Sequence, residues 1–74
     1  MNEIKQKPRP GTMWRHYNGN YYDVLALANE DSDRPEYPPT VVYQGDNGKV
    51  WTRRLSDWDR SFTFVGLCPM WPHP

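Results

Sequence analysis

The sequence predicts a small all-β domain, and three observations carry that prediction. Four Trp, five Tyr and two Phe make the chain 15% aromatic; such residues favour strands, and each buries on the order of 150–250 Å². Eight Pro and five Gly punctuate the 74 residues, while helix-forming residues at 3.6 spacing are scarce. Two Asn-Gly pairs, Asn18-Gly19 and Asn47-Gly48, sit between runs of aromatic and β-branched residues, which is the strongest short-range hairpin signal. A chain this short lies near the lower limit of independent folding. A two-domain enzyme, a dinucleotide-binding unit of useful size and a large barrel are thereby excluded. No run approaches the roughly 18 apolar residues of a membrane span, and Met1–Pro10 lacks the apolar stretch of a signal peptide. A single cysteine excludes an internal disulfide framework. A soluble protein of a reducing, cytoplasmic compartment is expected.

The elements follow in order. Residues 1–10, polar and broken by Pro8 and Pro10, read as a flexible tail. Thr12–Tyr17 forms a first strand and Asn20–Asn29 returns as a second. With a two-residue turn at Asn18-Gly19, Trp14 opposes Asp23, Arg15 opposes Tyr22 and His16 opposes Tyr21. One face then carries Trp14, His16, Tyr21, Asp23 and Leu25, and the other carries Met13, Tyr17, Tyr22, Val24 and Ala26. The second set is the expected core, with Arg15 as its misfit, and a one-residue bulge exchanges the two faces. Glu30–Pro39 holds four acids and three prolines and reads as an exposed loop. Thr40–Gln44 and Lys49–Arg54 pair around the second Asn-Gly turn. Leu55–Arg60 suits one helical turn, with Ser56 as its cap and Asp57 and Asp59 near its positive end. Phe62–Val65 makes the fifth strand. Five short strands with one short helical turn before the last describe an SH3-like barrel, with a five-stranded OB-type barrel as the alternative. The expected division is a tail over 1–10, the barrel over 11–66 and a Pro-rich extended tail over 67–74.

Several runs resemble a known family. Pro10 through Leu25, with Gly11, Trp14, the His16-Tyr17 pair, Gly19 and Tyr22-Asp23-Val24-Leu25, is similar to the opening of domain-of-unknown-function family 1653. Val41-Val42-Tyr43, Gly48-Lys49-Val50-Trp51 and Arg53 through Trp58 resemble its second half. The resemblance spans about Pro10–Val65 and departs from the family at Arg53-Arg54, where an Arg-Pro pair is usual. It implies a small β-barrel of bacterial or phage origin, and it supplies no catalytic residues, because the family has no settled activity.

Two groups of residues stand out for function. Trp14, His16, Tyr22, Asp23, Trp51, Arg53 and Arg54 combine aromatic walls with directed polar groups, as a planar ligand or nucleotide requires. Lys49 and Arg60 add further phosphate-binding potential, since basic side chains, and Arg above all, match phosphate geometry. The second group is Glu30, Asp31, Asp33 and Glu36 in the acidic loop together with Trp71 in the tail, which suit contact with a partner protein. Each group also has a plain structural reading, as a polar pair on a sheet surface, a solvated connection, or a tail folded over the barrel. No nucleophile with an adjacent base is visible. Cys68 and His73 do not have metal-ligand spacing, so neither an enzyme nor a metal or other cofactor is expected.

Charge is segregated although the sum is zero. Residues 30–48 carry five acids and one Arg, flanked by segments each with four basic and two acidic residues. Three functions follow, in order of expectation. The first is a non-enzymatic phage or bacterial accessory protein that binds a host protein. The second is a protein that sequesters a small nucleotide-like ligand in an aromatic and arginine pocket. The third is a nucleic-acid-binding barrel, weakened by the neutral balance. Self-association into a homo-oligomer is compatible with all three.

Overall fold

The computed structural model describes residues 6–68. Five strands form one antiparallel sheet: β1 (Thr12–His16), β2 (Tyr21–Ala28), β3 (Thr40–Gly45), β4 (Val50–Arg54) and β5 (Phe62–Leu67). Their spatial order is β4-β3-β2-β1-β5, and a 3-10 turn over Leu55–Arg60 separates β4 from β5. This is the small SH3-like all-β arrangement expected from the sequence. The pairing of β5 with β1, at one edge of the sheet, does not fit the OB-type alternative.

The first hairpin corrects the expected register. Met13 pairs with Asp23, Trp14 with Tyr22 and Arg15 with Tyr21, one residue away from the two-residue-turn alignment. Gly19 donates its N–H to the His16 carbonyl at 2.8 Å, and the His16 N–H donates to Asn20 at 2.9 Å. Gly19 sits at φ +96° while Asn18 stays outside the left-handed region. That combination is a three-residue loop ending in a glycine bulge, not a type I′ turn. The extra residue exchanges the faces of β1, so Trp14 and His16 lie on the same side as Tyr22 and Val24. Met13 and Tyr17 are therefore not core residues.

Two further irregularities curve the sheet. The β2–β3 register shifts between Val24 and Ala26, and the β1–β5 register shifts opposite Val65. Bulges bend a strand and increase its twist, which a five-stranded sheet needs in order to wrap a core. The β2 shift also turns Leu27, in place of Ala26, toward the interior.

The core consists of Trp14, Val24, Val41, Trp58 and Phe62, with Tyr22, Leu27, Tyr43, Leu55 and Phe64 packed around it. Trp58, the one fully buried residue of the helical turn, stacks on Phe62 at 3.8 Å and 4°. Trp14 and Tyr43 meet its ring edge-on at 5.5 and 5.1 Å. Ser56 does not cap the turn. Arg54 occupies the cap position in an extended conformation with no side-chain capping bond. The Leu55 N–H instead donates to the Pro39 carbonyl at 2.9 Å, which satisfies one donor and joins the end of the acidic loop to the turn.

Thr12 anchors the start of the barrel. Its hydroxyl donates to the Arg9 carbonyl at 2.6 Å and accepts the Trp14 indole N–H at 2.9 Å. Thr12→Val keeps the shape but orphans a buried indole donor, so a loss of about 1–3 kcal/mol is expected. Thr12→Ser should lose less, and urea denaturation of both variants checks the ordering. On either side of 11–66, Pro8 is buried, β5 continues through Leu67, and the buried Cys68 donates its N–H to Gly11 at 2.7 Å. Trp71 lies outside the described residues.

Candidate functional site

A cleft opens where the β1–β2 loop meets the end of the 3-10 turn. It is lined by Tyr17, Arg53, Asp57, Arg60 and Ser61 and encloses ≈ 340 Å³. Backbone geometry fixes its two walls. The Tyr17 N–H donates to the Ser61 carbonyl at 3.0 Å, tying the hairpin tip to the turn. The Tyr17 ring, 78% exposed, rests against the His16 imidazole at 4.2 Å. His16 in turn meets Phe62 edge-on at 4.9 Å and accepts the Asn18 N–H through Nδ1 at 3.1 Å.

Arg53 forms the inner wall. It pairs with Val41, and Trp51 pairs with Tyr43, so strand alternation sets both β4 side chains on the side of the sheet that bears the core. The Arg53 guanidinium lies over the Phe62 ring at 5.4 Å. Its Nη1 is shielded from solvent and has no hydrogen-bond partner among the described residues. Burial raises the neighbouring Tyr43 hydroxyl above its ordinary pKa, against the opposing pull of the Arg53 charge. At the outer wall Arg60 Nη1 donates to Asp57 Oδ1 at 3.3 Å, with both side chains largely in solvent.

The structure divides the expected ligand set. His16, Tyr22, Trp51 and Arg53 share the core-bearing side of the sheet. Trp14 is on that side too, but at 2% exposure it is a core residue and is closed to any ligand. Tyr22 is partly buried, edge-on to Tyr43 and Phe62, and serves as packing behind the cleft. Asp23 and Arg54 alternate onto the opposite side, so Asp23 does not pair with His16. The Asp23 carboxylate instead accepts a hydrogen bond from the Cys68 thiol. Sequence reasoning missed Tyr17, Asp57 and Ser61. Their signal is the placement of the helical turn just before β5, which sets residues 57–61 beside the first hairpin.

Cys68 is an inert thiol in this setting. Burial, then the hydrogen bond to and charge of Asp23, push it from 9.0 up to about 12. Folded protein at pH 8 is expected to resist iodoacetamide, with alkylation appearing only on denaturation; reaction at the rate of a free thiol would contradict the burial. Because the folded pKa is the higher, the unfolded chain loses this proton first. The contribution to stability is therefore complete below pH 9 and is lost as pH rises toward 12.

The acidic loop contains two local turns, closed by Ser32 N–H to Asn29 at 3.0 Å and Tyr37 N–H to Arg34 at 3.0 Å. Glu30 pairs with Lys7 at 3.7 Å and Glu36 with Arg34 at 3.4 Å. Asp31 and Asp33 are exposed, with no ion pair to another described residue. Among the described residues no group of three or more His, Cys, Asp or Glu is placed to hold a metal ion. No helix among them is long and apolar enough to cross a membrane.

The topology and this polar, half-open cleft define a small all-β domain, five antiparallel strands in one sheet with a recess at its hairpin-and-turn end. The chain belongs to the family described as "Protein of unknown function (DUF1653)", whose model matches residues 12–64. That span includes every residue lining the cleft. No curated protein and no solved structure matches the chain.

Proposed function

We propose that this protein is a non-enzymatic binding protein that holds a small nucleotide-like ligand in the cleft between Tyr17, Arg53 and Arg60. The observation behind this reading is the lining of the cleft, where the basic side chains of Arg53 and Arg60 meet an exposed Tyr17 ring. The guanidinium fork matches phosphate. The exposed Tyr17 ring offers a stacking surface for a base, and Trp51 extends the aromatic character along β4. The cleft is at the small end of the roughly 300–1,000 Å³ range of ligand sites, which suits one nucleoside monophosphate. Isothermal titration with ribonucleoside monophosphates tests the reading. Saturable 1:1 binding that is lost in Arg53→Met supports it, and no binding by the wild type rejects it.

A second reading, contact with a host protein in a bacterial cytoplasm, is favoured by the acidic loop. Asp31 and Asp33 are exposed, without an ion pair to another described residue, on the segment that leads into Pro35. Charge reversal at these two positions would then remove a partner complex without affecting nucleotide titration.

A further inference from the structure

The lining of the cleft also bears on which nucleotide it takes. We infer that the ligand is a guanine nucleotide, held by its phosphate at Arg53 and selected through its base edge by Asp57; this deepens the nucleotide reading above and rests on it. The argument starts from what each lining group offers. Arg53 and Arg60 are donors only, an ionised Asp57 is an acceptor only, and the hydroxyls of Tyr17 and Ser61 are both. An anion alone would gain the arginines yet meet the Asp57 carboxylate. A complementary ligand therefore brings negative charge to Arg53 and N–H donors to Asp57.

Asp57 is available for that role. Its bond to Arg60 is long at 3.3 Å and exposed on both sides, where charge-assisted bonds ordinarily run about 2.7–2.9 Å. A carboxylate has about four lone-pair sites, so one such bond leaves acceptor capacity on a residue that lines the cleft. Two adjacent ring-edge donors satisfy a carboxylate together, and guanine is the common base that has them, at N1 and the exocyclic N2. Adenine and cytosine each set a lone pair beside their amino group, and that lone pair would face the carboxylate. Tyr17, buttressed by His16 at 4.2 Å, then stacks on the purine face.

The test is titration calorimetry of the wild type and Asp57→Asn with GMP, IMP, AMP and inorganic phosphate. The expected order in the wild type is GMP, then IMP, which lacks the N2 donors, then AMP, with GMP ahead of AMP by about tenfold or more. Asp57→Asn is expected to bring GMP and AMP within about threefold of each other, with AMP binding kept or improved because the repelling charge is gone. Asp57 is a partly exposed side chain, and a matching thermal melt establishes that the variant folds. GMP and AMP binding equally to the wild type, or a ratio unchanged in the variant, overturns the guanine assignment and leaves the nucleotide reading standing. Failure of every nucleotide to bind the wild type overturns both.

Discussion

Trp58→Ala is expected to remove a large share of the domain's stability. A domain of this length has a total stability of about 4–11 kcal/mol, and truncating a buried Trp costs about 3–5 kcal/mol. Trp58 lies at the high end of that range for three reasons. It is fully buried, it stacks on Phe62 at 3.8 Å while meeting Trp14 and Tyr43 edge-on, and the turn that bears it is too short to refill the cavity. Trp58→Phe keeps a ring against Phe62 and should lose about 1–2 kcal/mol. Its indole N–H has no acceptor among the described residues, so no hydrogen bond is lost with it. Far-UV circular dichroism and urea titration read both variants. A Trp58→Ala protein that melts within about 8 °C of the wild type, equivalent to only about 1–2 kcal/mol, would contradict this account of the core.

Arg53→Met is expected to lose nucleotide affinity by tenfold or more while melting no lower than the wild type. A hydrogen bond to a charged group contributes about 1.5–3 kcal/mol, which corresponds to a tenfold to hundredfold change in Kd. The unliganded protein gains by the same substitution, because the solvent-shielded Nη1 is removed. Met keeps an unbranched apolar stem against Phe62 and a sulfur that packs well on rings. The cation–π contact at 5.4 Å is lost, at a cost of about 0.5–2 kcal/mol, against a gain of about 1–3 kcal/mol from removing a shielded donor that has no partner among the described residues. Opposite movement of affinity and stability marks a residue kept for binding. A large fall in melting temperature would instead make Arg53 a structural residue.

The sequence makes the elements legible and the first register illegible, for one physical reason. Strand and turn signals are local: the helical turn falls at Leu55–Arg60 as expected, and all five strands lie within two residues of their expected limits. Whether Asn18-Gly19 closes a two-residue or a three-residue loop depends on one dihedral angle at Asn18, and both loops accept the same residues. That single residue decides which face of β1 is buried. It turned Trp14 from an expected ligand contact into core and separated His16 from Asp23. On β4, where alternation alone decides, Trp51 and Arg53 share a side as the ligand grouping required, and Arg54 falls on the other. Asp57 and Ser61 were illegible because their role depends on a contact between the hairpin tip and a segment more than forty positions later.

The hydrogen bond from Tyr17 to Ser61 has a consequence for the order of folding. The cleft draws one wall from the first hairpin and the others from residues 53–61, and the walls meet only once β5 has docked on β1. Contacts of such long sequence separation form late and slowly, because chain entropy must be lost before they contribute. A ligand spanning them therefore has little to hold in the transition state if β5 docks after it. Its stabilisation then belongs to the unfolding rate and leaves the folding rate nearly unchanged. Under the proposed ligand-binding role, occupancy prolongs the lifetime of the captor itself.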